Sequence, residues 1–81
     1  MARYFEVWID AANEHHVTRH GVTAREITQA FRNNPAIRRN RRARTGDYVA
    51  LGVTDGGRRI LVIFSFIEES GVRPIAAWER G

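Results

Sequence analysis

Three histidines fall within a short stretch, His15, His16 and His20, and Arg19 directly precedes the last of them. Imidazole changes charge near neutral pH and can take or give a proton. His16 and His20 are four apart, the spacing that puts two histidines on one helix face as a metal pair. The zincin pattern needs glutamate directly after the first histidine, and Val17 stands there instead. With no cysteine and no evident third ligand, no metal is assigned. The same residues suit acid–base chemistry on RNA. Cleavage without a metal needs a base for the 2′-hydroxyl, an acid for the departing 5′-oxygen and cations for the crowded phosphate. His20 and His16 are the candidate acid–base groups. Arg19 and the arginines between positions 38 and 44, Arg39 among them, are candidate phosphate contacts. The competing reading packs one histidine against a sheet and leaves the others solvated. His20, placed in the last helical turn, would then gain from the helix dipole when protonated.

Composition narrows the setting. The net charge is +4, and all 13 cations are arginine. Guanidinium is a planar, bidentate match for phosphate, so this charge suits nucleic acid or an acidic protein partner. A GC-rich genome would also write arginine for lysine. The absence of cysteine excludes disulfides, zinc ribbons and thiol catalysis, and fits a reducing compartment. Glu6 and Asp10 interrupt the start where a signal peptide needs an apolar run, and no run approaches the ~20 residues of a membrane span. A single cytoplasmic domain of 81 residues, away from any membrane, is expected.

The elements that must position these groups centre on the stretch 47–67. It reads as two strands joined by Thr54-Asp55-Gly56-Gly57-Arg58, whose glycines allow a tight turn. The run Ile60–Phe64 is apolar without a break, which predicts a central strand covered on both faces. Residues 3–9 alternate, with Phe5, Val7 and Ile9 on one side, as a strand does. Asp10 can cap a helix over 11–19, stopped by Gly21 in the left-handed conformation. Thr23 and Glu26 form a capping box, Val22 can staple onto Ile27, and Ile27, Ala30 and Phe31 make the core stripe. Asn33-Asn34-Pro35 ends that second helix. Residues 36–44 read as an arginine-rich edge strand anchored by Ile37, or as a loop. After a turn at 68–71, residues 72–78 form a last strand, which Pro74 places at an edge or pairs through one side. The fold class is α+β: two N-terminal helices on one face of a mainly antiparallel four- to five-stranded sheet, in the order β-α-α-β-β-β-β. The other sheet face is then wet or covered by a partner.

Trp8-x-Asp10, then His16-x-x-Arg19-His20-Gly21-Val22-Thr23, leading into Glu26-Ile27 and Phe31, resembles the opening of BrnT-type toxins. The match continues through Tyr48-Val49-Ala50-Leu51-Gly52, the Asp-Gly turn and the apolar strand Ile60–Phe64. The resemblance implies a RelE-like ribonuclease fold and toxin activity against cellular RNA, with no metal or organic cofactor. It also implies neutralisation by a small antitoxin carrying a DNA-binding domain, and assembly as a homodimer or as a hetero-tetramer with that antitoxin. Arg19 and His20 match the family's basic-His-Gly signature, Trp8 and Asp10 its Trp-Asp element, and Tyr48 its strand aromatic. The last strand departs from the pattern: Ala76 stands for a serine and Trp78 for an arginine, with Arg80 as the candidate replacement.

Two main functions follow. In the first, the chain is an endoribonuclease toxin: His20 or His16 does the acid–base work, and Arg19, Arg58 and Arg80 contact phosphate. Tyr48 would orient the substrate, and Trp8 is a candidate base-stacking platform. In the second, the chain keeps the fold and a protein partner but has lost catalysis, with Trp78 buried at the interface. A nucleic-acid binder without chemistry ranks last, because helix two presents few base-reading side chains.

Overall fold

The computed structural model describes residues 5–41 and 47–80. Seven elements follow one another: β1 (Glu6–Val7), α1 (Ala11–Val17), α2 (Ala24–Arg32), β2 (Ala36–Arg39), β3 (Tyr48–Val53), β4 (Arg59–Phe66) and β5 (Gly71–Glu79). The sheet order is β1-β5-β4-β3-β2. β2 to β5 pair as antiparallel neighbours, and β1 pairs in parallel with β5 through Glu6–Gly71 and Val7–Val72. The protein is therefore an α+β fold with a mixed sheet of five strands and two helices.

Local chemistry explains the helices. The Asp10 carboxylate accepts the Ala12 and Asn13 amides, and the Asn13 side chain accepts the Asp10 amide in return. Thr23 Oγ1 accepts from Glu26 N at 3.1 Å while Glu26 Oε1 accepts from Thr23 N at 3.0 Å, closing the expected capping box. Val22 and Ile27 are fully buried, as the staple requires. α1 stops at Val17, two residues short of expectation. Thr18 caps it and Gly21 turns the chain with φ +86°.

The core sits between the helices and one sheet face. Ile60, Val62 and Phe64 of β4 meet Ile27, Ala30 and Phe31 of α2, together with Phe5, Val17, Ala50, Val72 and Ala77. Phe31 lies edge-on to Phe64 at 5.1 Å, and Phe64 in turn contacts Phe66 and Tyr48. Gly52 lets α2 approach β3 closely: a Cβ there would lie 2.9 Å from the Ala30 Cβ.

β4 is central, as its composition demands, but only one of its faces is closed. Leu61 and Ile63 remain half-exposed on the opposite face. Register puts Leu51, Leu61 and Trp78 in one cross-strand row there, and Val49, Ile63 and Ala76 in the next. The unbroken apolar run thus corrects to one buried stripe and one open stripe.

Three further expectations are refined. Among the described residues the first strand is a two-residue ladder, with Val7 and Ile9 packed on the core, while residues 3 and 4 of the expected strand lie outside them. Residues 36–39 form the edge strand, while the arginines at 42 and 44 lie outside the described residues. Pro74 lies within the sheet, facing Phe64 at a register shift, just past the point where β1 stops pairing. Among the described residues, no helix is long and apolar enough to cross a membrane.

Candidate functional site

The end of α1 and the following turn lie along β5, and this seam collects the candidate residues His16, Arg19 and His20. Val17 is buried and anchors the helix, so the turn through Thr18 and Gly21 carries Arg19 and His20 past the helix end. The His20 ring stacks on Trp78, with centroids 4.9 Å apart and planes 28° from parallel. Arg19 Nε donates to His20 Nε2 at 3.3 Å. The imidazole is thus held between an indole face and a guanidinium, with Nε2 as the acceptor. To take a proton from a hydroxyl, Nε2 must first be released by Arg19.

His16 lies one turn earlier on the same seam. With Ala12, Asn13 and Val17 from α1, and Arg73, Pro74 and Ile75 from β5, it lines a cleft of about 280 Å³. His16 and His20 do not share a helix face, since α1 ends between them. The two-histidine metal geometry and the placing of His20 in the last helical turn are both corrected by that one fact. His15 and His16 occupy the last turn instead. The described residues contain no group of three or more His, Cys, Asp or Glu side chains arranged to hold a metal ion.

Arg80 does not fold back toward His20. Its amide donates to Arg59 O at 2.8 Å and extends the β5 ladder past Glu79. Arg58 is held by partners within the chain. Its Nη1 donates to both Glu26 oxygens and to Gly21 O, and its Nη2 to Glu79 Oε1 at 3.0 Å. A guanidinium satisfied by two carboxylates holds the turn, the start of α2 and the end of β5 together. It acts as a structural strut, and a phosphate would have to compete with both carboxylates for it. The Thr23 amide, and next the Arg58 guanidinium, hold the Glu26 carboxyl below the ordinary carboxylate range.

Tyr48 and Arg39 meet in a different place. With Asn40, Arg41 and Asp47 they line a cleft of about 590 Å³ where β2 and β3 pair. The Tyr48 ring packs on Phe64 and Phe66. Trp8, 48% exposed, rests its indole against Gly71 at the β1 side of the sheet. The eight candidates therefore divide. His20, Arg19 and His16 share the α1–β5 seam, Arg80 lies beyond its end, Tyr48 and Arg39 form a second cluster, and Arg58 and Trp8 stand apart.

No protein-family model matches the chain, and no curated protein or solved structure matches it significantly. The geometry therefore carries the functional argument.

Sequence reasoning missed two members of the seam. Trp78 was read as the loss of an arginine or as a partner-interface residue, yet it supplies the surface against which His20 is held. Arg73 was not singled out at all. Its signal was Pro74, which marks the irregular strand geometry beside it.

Proposed function

We propose that this chain is a small metal-independent endoribonuclease toxin of a type II toxin–antitoxin system, built on a RelE-like fold. It cuts cellular RNA and inhibits growth unless a small antitoxin with a DNA-binding domain occupies it. The observation that carries the reading is the His20–Arg19 pair, fixed on Trp78, with His16 one turn away. His20 Nε2, freed from Arg19, takes the proton of a ribose 2′-hydroxyl. The resulting oxygen attacks the adjacent phosphorus, a 2′,3′-cyclic phosphate forms, and the 5′-oxygen leaves with a proton from the second histidine. Arg19, once displaced from Nε2, is placed to bond a phosphate oxygen.

The test is incubation of the full chain with total RNA in EDTA beside His20→Ala and Arg19→Ala variants. Cleavage that survives EDTA and falls by about 10²–10⁴ in His20→Ala is the expected result. Intact RNA with the unaltered chain, or equal cleavage by all three proteins, removes the enzymatic reading.

One observation favours a second reading, a binding module that keeps the fold without catalysis. The open sheet face presents Val49, Leu51, Leu61 and Ile63 half-exposed, with Trp78 36% exposed beside them. Arg38 lies on that face by register, opposite Val49. An apolar centre with a cationic margin suits an acidic amphipathic segment such as an antitoxin would supply. Tight binding to the product of a neighbouring short reading frame, with no RNA cleavage, is the outcome that selects it.

A further inference from the structure

The cleft between α1 and β5 has a construction distinct from its surroundings. Its floor is apolar: Val17 and Pro74 are buried and Ile75 is half-buried. Its polar groups are Asn13, His16 and Arg73, and no carboxylate lines it. A regular strand would send residues 73, 74 and 75 alternately to opposite faces. The register shift opposite Ile63 and Phe64 falls at Ile75 and breaks that alternation there, so Pro74 and Ile75 both border the cavity, which Arg73 also lines.

These polar groups are left for a ligand. Asn13 Oδ1 is occupied by the Asp10 amide, so its remaining capacity is the NH₂ donor. Among the described residues neither the Arg73 nor the His16 side chain has a hydrogen-bond or ion-pair partner, in contrast to Arg58 and Arg32. A guanidinium, an amide donor and an imidazole therefore converge on an apolar floor. Such a lining favours an anion attached to a flat, partly apolar group.

We infer that the α1–β5 cleft binds one nucleotide unit, with its phosphate on Arg73 and Asn13 and its ribose or base over Pro74 and Ile75. The volume of about 280 Å³ lies just below the usual range for drug-sized ligands, which suits a single unit rather than a longer segment. The choice of RNA as the source of that unit rests on the ribonuclease reading. The cleft would hold the nucleotide adjacent to the bond presented to His20 along the same strand.

Titration of the full ¹⁵N-labelled chain with a nucleoside 3′-monophosphate, followed by amide shifts, tests this. The parallel probes are the free nucleoside and inorganic phosphate. Saturable shifts at Asn13, His16, Arg73 and Ile75 are expected, with either parallel probe at least about tenfold weaker. Arg73→Gln should weaken nucleotide binding by about tenfold or more without moving the unfolding midpoint. Ala12→Glu, which sets a carboxylate at the rim on an exposed helical position, should do the same. No saturable shift, shifts centred instead on Arg38, Arg39 and Arg41, or unchanged binding by both variants overturns the inference. Cleavage is not the readout. A chain that binds nucleotide here yet leaves RNA intact retains this site and loses the enzymatic reading.

Discussion

Arg58 Nη1 donates to both carboxylate oxygens of Glu26, at 2.9 and 3.0 Å, and so ties the β3–β4 turn to the first turn of α2. The same carboxylate closes the capping box on Thr23, so one side chain serves a local and a long-range bond together. Asp55, two residues before Gly57 in that turn, is bonded by Asn33 and Arg32 at the other end of α2. The hairpin is thus clamped to both ends of one helix.

That clamp has a pH signature. The Glu26 carboxyl is held below its ordinary value of 4.5, by the Thr23 amide first and by Arg58 next. A group depressed in the folded state contributes stability that is fully present above its unfolded value and is lost as pH falls through the folded one. Stability should therefore decline on acidification below about 4.5. Asp55, lowered by Asn33 and then Arg32, adds to the same trend. Glu26→Gln should be less stable than the unaltered chain at neutral pH and show a shallower acid decline. Urea midpoints across the acid range measure both, and parallel curves for the two proteins would refute the assignment.

Gly52→Ala should destabilise by roughly 1–3 kcal/mol, because its new methyl would meet the Ala30 methyl at 2.9 Å and the Ala30 carbonyl at 3.0 Å. Gly56→Ala is the control, since the nearest atom to a Cβ there is 3.9 Å away. Denaturant unfolding of both variants, side by side, checks the difference. Equal midpoints would show that α2 can shift outward at no cost.

Phe64 is fully buried and touches the rings of Phe31, Tyr48 and Phe66. Phe64→Ala should cost about 3–5 kcal/mol, near the upper range for a core aromatic. Ile63→Ala, one residue away on the open face, should cost clearly less. Calorimetry or urea unfolding ranks the two, and a reversed order would mean that the open face is covered.

For the binding-module reading, Leu61→Asp should leave the fold in place while abolishing capture of an acidic partner. Trp78→Ala should raise the dissociation constant by about thirtyfold, the effect of losing a hot-spot aromatic. Calorimetric titration with the neighbouring gene product gives both numbers. Unchanged affinity in the two variants would place the partner elsewhere.

What the sequence disclosed follows the range of the interactions involved. Capping at Asp10 and Thr23, the Asp-Gly-Gly turn and the core stripe Ile27–Ala30–Phe31 are local patterns, and each was legible from spacing alone. The parallel pairing of β1 with β5 was not, because it joins residues with nothing in their local pattern to link them. The site divides in the same way. Arg19 and His20 are sequence neighbours and their pairing could be anticipated. Arg58 looked like a free hairpin cation, and only the fold brings Glu26 and Glu79 to it. Trp78 reached His20 through the course of β5, which no spacing rule encodes.

The β1 ladder has a consequence for how the molecule is made. Glu6 and Val7 leave the ribosome well before Gly71 and Val72, the residues they pair with. Helix α2 and strands β2 to β4 can assemble meanwhile, leaving the first strand waiting as the nascent chain lengthens. Closure of the sheet is thereby deferred until β5 has been made.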